Sequence, residues 1–194
     1  MRPIATALTL AALILTATAS PSGAASPAGD ASLISYFKAI CGPDLDPDRS
    51  AARALANGFI PAKKKPKLGD MEDVRGFEQI VGGREFFVLA ARGRGKPRDG
   101  NPASSTVACA VGVKGKDEAG LAAGRRWIGV PASKTVMGIG FHGFRQTAGG
   151  RAPLSFDDKP ATKAAVLAGD LIVLTVSGLG GVSLLVLSRT KAAS

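Results

Sequence analysis

Apolar positions recur at helical spacing early in the chain and at strand spacing beyond about residue 70. Between Ala31 and Cys41, Leu33, Ile34, Phe37 and Ile40 mark one face of a short amphipathic helix, which Gly42-Pro43 ends. Asp46-Pro47-Asp48 is a helix start, with Asp as N-cap, Pro in the first turn and a second acid near the positive end of the dipole. A second helix is predicted from Pro47 to Asn57, with Ala51, Ala52 and Leu55 as its buried side, Phe59 following and Gly58 past its end.

The later segments are bounded by glycine pairs. Phe77–Val81 and Arg84–Ala91 form two strands around Gly82-Gly83, and Ser105–Val113 is a strand with Val107, Cys109 and Val111 on one face. Lys114–Gly124 is expected to be a polar loop or one helical turn, Trp127–Val130 a short strand, and Lys159–Ala168 a turn of helix. Residues 171–188 carry no charge between Asp170 and Arg189, a length at the threshold for a membrane-spanning helix. Gly178, Gly180 and Gly181 near the middle, flanked by Ile172, Val173, Val176, Val182 and Val186, favour two buried strands around a turn over a membrane anchor. The predicted fold class is α+β: two short N-terminal helices packed on a mostly antiparallel sheet of about five to seven strands.

The first residues change the setting. Arg2, the uncharged run Ile4–Leu15 and the small residues Ala17-Thr18-Ala19 make the three parts of a secretory signal peptide over residues 1–19. Residues 20–30 are small and polar and read as a disordered leader, leaving residues 31–191 as one domain. The expected location is the periplasm or the medium. There Cys41 and Cys109, the only two cysteines, are expected to form a disulfide.

With 25 basic and 15 acidic residues the net charge is +10, or +9 without Arg2. An exported basic chain meets anionic envelope surfaces and polymers before it meets nucleic acid, for which the aromatics are also few. Candidate anion-binding residues are Lys63, Lys64, Lys65 and Lys67, then Arg125 and Arg126 beside Trp127, with Arg92, Arg94, Lys96 and Arg98 as a further cluster. Catalytic motifs are poorly supported. Gly138–Gly143 matches G-x-G-x-x-G but leads into Gly149-Gly150 rather than a helix, and Ser35–Lys38 matches S-x-x-K without its companion motifs. Asp44, Asp46 and Asp48 lack the glycine and glutamate of an EF-hand and suit helix capping. With His142 as the sole histidine, zinc sites built on two histidines are excluded. No catalytic residue, metal or cofactor is assigned. The leading expectation is a non-enzymatic binding or structural protein of the envelope. The alternatives are an envelope-directed hydrolase or enzyme inhibitor with a site near His142, Trp127 and Arg125, and a membrane-associated protein anchored by 171–188.

Overall fold

The computed structural model describes residues 31–42, 44–64, 66, 71–97 and 103–193. The expected signal peptide and leader, Lys65, Lys67 and Arg98 lie outside them. In chain order the elements are α1 (Leu33–Cys41), α2 (Pro47–Ala56), β1 (Ile60–Pro61), β2 (Met71–Val81), β3 (Arg84–Gly95), β4 (Ser104–Lys114) and α3 (Glu118–Ile128). They continue with β5 (Lys134–Val136), β6 (Ile139–Thr147), β7 (Gly150–Pro153), α4 (Lys159–Ala168), β8 (Leu171–Ser177) and β9 (Val182–Ala192). The class is α+β, but among the described residues the sheet has nine strands rather than five to seven and two further helices follow the N-terminal pair.

Every strand pair is antiparallel, in the order β1-β2-β3-β4-β9-β8-β6-β5, with β7 also on β6. The glycine pairs turn the β2–β3 and β8–β9 hairpins with positive φ at both residues, as the right-handed twist of hairpins favours. Residues 171–188 are therefore strands and not a membrane helix. Among the described residues no helix is long and apolar enough to cross a membrane.

One face of the sheet carries the main core. Val88, Val111, Leu185 and Val176 form one cross-strand row, and Ala90, Cys109, Leu187, Leu174 and His142 form the next. Leu33, Phe37 and Ile40 of α1 are fully buried over these rows, and the Cys41–Cys109 disulfide fastens the end of α1 to β4. Asp46 caps α2 by accepting from the backbone N–H groups of Asp48 and Arg49, both at 2.9 Å. Its buried side is Pro47, Ser50, Ala51 and Ala54; the expected Ala52 and Leu55 face solvent, because the helix meets the sheet about one residue further round than the apolar count implied.

The third helix departs most from the sequence reading. Asp117 caps α3 by accepting from Gly120 N–H at 2.9 Å, and Gly129 closes it in the left-handed region. Trp127 is thus helical rather than on a strand. Gly120 and Gly124 look like loop residues, yet a Cβ on them would lie 2.9 Å from Leu33 and 2.6 Å from Leu185. The glycines let α3 settle against α1 and β9, and that packing outweighs their low helix propensity. On the other face α4 buries Ala165 against Leu154 and Leu171, forming a smaller cluster.

Candidate functional site

The aspartates near the start of α2 serve structure. Arg53 binds Asp44 through both carboxylate oxygens at 3.1 and 2.9 Å, and Arg49 joins at 3.1 Å. The Arg53 hydrogen bond leads in lowering the Asp44 pKa to about 2, against the opposing effect of partial burial. The folded-state pKa lies below the ordinary carboxylate value of about 4. The pair's stabilisation is therefore complete above pH 4 and lost as pH falls from about 4 towards 2. Because the pair is largely open to water, we expect Asp44→Asn to lower stability at pH 7 by about 1 kcal/mol at most, with the difference vanishing near pH 2. Denaturant unfolding at both pH values checks this. Asp48 is also engaged, by Arg75 at 2.7 Å and Arg92 at 2.5 Å.

No hydrogen bond or ion pair links the side chains of His142, Trp127 and Arg125 among the described residues. His142 is buried on the core side of β6. Its Nδ1 donates to the Val130 carbonyl at 2.9 Å, and its Nε2 has no hydrogen-bond partner among the described residues. Trp127 takes its cationic neighbour from β7 instead. The Arg151 guanidinium lies 4.3 Å from the indole centre and donates to the Trp127 and Ile128 carbonyls at 2.6 and 3.1 Å, closing the end of α3. Burial lowers the Arg151 pKa from its usual value. Phe37 and the indole also meet in an edge-to-face arrangement, with ring centres 5.4 Å apart. Arg125 and Arg126 are exposed in the last turn of α3. Arg151 was missed because its contacts join segments 24 residues apart through tertiary packing.

Of the predicted cations, the pairs Lys63–Lys64 and Arg125–Arg126 lie apart in space. Lys63 and Lys64 are exposed after β1, Lys63 beside Ile60, Glu78 and Phe87 at the sheet edge. Arg125 and Arg126 ride on α3, which packs over β8 and β9. Strands β2, β3 and β4 intervene, and at ~4.8 Å per strand the two groups are more than 15 Å apart. That exceeds the screening length of ~8 Å at physiological salt.

A different set does come together. Register pairs Arg92 with Val107 and Val107 with Arg189, then Arg94 with Ser105 and Ser105 with Lys191. Alternation puts Arg92, Arg94, Arg189 and Lys191 on the face that carries α1, α2 and α3, at the end of the sheet beyond α1 and α2. Across two strand spacings and one i to i+2 step, they outline a rectangle of roughly 10 by 7 Å. Arg92 is held by Asp48; Arg94, Arg189 and Lys191 are exposed and have no carboxylate partner among the described residues. A shallow depression of about 320 Å³ opens beside them, lined by Asp73, Arg92, Arg94, Ser105 and Val107 among others. Sequence reasoning had Arg92 and Arg94 but not Arg189 and Lys191, since only the insertion of β9 beside β4 makes them neighbours. No group of three or more metal-ligating side chains occurs among the described residues. Comparison with protein-family models, with characterised proteins and with solved structures finds no match to this chain.

Proposed function

We propose that the protein is an exported, non-enzymatic binding domain of the cell envelope that holds an anionic polymer or surface through the cations at the β3–β4–β9 end of its sheet. The supporting observation is the cross-strand block of Arg94, Arg189 and Lys191, without a carboxylate partner among the described residues, while the neighbouring Arg75 and Arg92 share Asp48 and Arg75 also meets Asp73. Guanidinium groups bind sulfates, phosphates and carboxylates through two parallel hydrogen bonds, and a rigid sheet fixes the spacing between successive anionic groups. The disulfide fits an oxidising compartment.

A heparin column and isolated cell-wall sacculi serve as probes. At about 1 kcal/mol per cation, the combined variant Arg94→Ala, Arg189→Ala, Lys191→Ala should bind on the order of 100-fold more weakly. All three side chains are exposed, so its unfolding midpoint should stay near the wild-type value. The pair Lys63→Ala, Lys64→Ala should bind within about twofold of wild type, because Lys63 and Lys64 lie across the sheet edge. The reading is wrong if the triple variant binds as tightly as wild type, or if the Lys63 and Lys64 pair abolishes binding.

A further inference from the structure

At the opposite end of the sheet, two hairpin turns meet. Val136-Met137-Gly138-Ile139 joins β5 to β6, with φ of 50° at Met137 and 80° at Gly138. Two positive φ values in succession define the turn that prefers Asn-Gly, because Cβ crowds the following carbonyl oxygen there, a cost that glycine avoids and that local hydrogen bonding of the Asn side chain offsets. Met137 is the one non-glycine residue with positive φ among the described residues, and it is also 83% exposed. It thus carries a conformational cost with no burial to offset it. Leu179, in the β8–β9 turn and 45% exposed, lies 4.0 Å from where a Cβ on Gly138 would stand. Val136 is 42% exposed in the same hairpin.

We propose that this tip inserts into the interface of an anionic lipid bilayer, with Met137 and Leu179 as the inserting side chains. The occupant follows from shape and charge. Apolar side chains at the ends of turns offer neither a groove nor the ~800 Å² that a stable protein partner covers, whereas shallow insertion beside cations is how interfacial anchors bind. Exposed Lys134 lies two residues before Val136. Exposed Lys116 follows Gly115, whose N–H donates to the Gly181 carbonyl in the Leu179 turn at 2.7 Å. Neither has a carboxylate partner among the described residues, while Arg84 and Asp117 nearby neutralise one another at 2.8 Å and exposed Glu85 pairs with Lys114; Glu118 is a further exposed acid of the neighbourhood. The tip is separated from the Arg94, Arg189 and Lys191 block by the length of β4, 11 residues or ~35 Å. The inference therefore extends the envelope reading without depending on that block.

The protein is expressed with its leader, recovered after processing, and sedimented with phosphatidylcholine vesicles with and without phosphatidylglycerol. Wild type should pellet with the anionic vesicles. Met137→Asn places the residue the turn prefers and removes the apolar anchor. Its melting temperature should hold or rise while vesicle binding falls about tenfold, and a merely structural role for Met137 would not move those two readouts apart. Leu179→Ser should weaken binding in the same direction and serves as the readout if Met137→Asn disturbs folding. Unchanged binding in both variants, or no binding of wild type to anionic vesicles at low salt, would overturn the proposal. Heparin binding, read on the same samples, should be untouched by either variant, so failure at the tip and failure of the cation block are separable.

Discussion

Removing the Cys41–Cys109 bridge should lower stability by ~4 kcal/mol, the chain-entropy value for a loop closed across a sequence separation of 68. For a chain of this size that is a fall in melting temperature on the order of 10 °C. The bridge joins α1 to the central strand β4, so without it the unfolded chain gains freedom and α1 must be held by apolar packing alone. Both cysteines are almost fully buried, so reductant should act slowly on the folded protein. The double variant Cys41→Ala, Cys109→Ala avoids that barrier. Thermal unfolding followed by circular dichroism gives the result, and a double variant that melts with wild type would show that the helices need no staple.

Phe37→Ala should cost about 3–5 kcal/mol, the usual range for deleting a buried aromatic side chain. Phe37 is 0% exposed, projects from α1 into the main cluster and meets Trp127 of α3 edge-on. Its loss opens a cavity where α1, α3 and the sheet converge and withdraws one wall from the indole. Because Trp127 is the only tryptophan, its fluorescence reports the same event: emission should shift to the red in the folded variant. Urea unfolding monitored by that emission supplies both numbers. A loss under ~1 kcal/mol with unshifted emission would mean that α1 does not pack as described.

The legible parts of the sequence were those with a local cause. Leu33, Phe37 and Ile40 at helical spacing became the buried face of α1, Asp46 became the cap of α2, and the glycine pairs at 82 and 180 became hairpin turns. The disulfide followed from counting cysteines in a chain expected to be exported, and Val107, Cys109 and Val111 do share a face of β4. What was missed depends on distant partners. Gly120 and Gly124 conceal α3 because their purpose is close contact with Leu33 and Leu185. The first half of β2, rich in charge, pairs because β3 lies alongside it, and two-residue β1 and three-residue β5 exist only as additions to their neighbours. The cation block was hidden for the same reason: Arg94 and Lys191 are far apart in sequence, and only strand order brings them two strands apart. The turn at Met137 and Gly138 was missed as well, since Gly138 was read only as the first glycine of a G-x-G-x-x-G match.

The most direct test of the account is the salt dependence of heparin binding by wild type and the Arg94, Arg189 and Lys191 triple variant. If these cations hold the polymer, the logarithm of the wild-type binding constant falls linearly with the logarithm of salt concentration, and the triple variant's slope is shallower by roughly 2–3. Binding independent of salt, or the same slope in both proteins, would contradict the account.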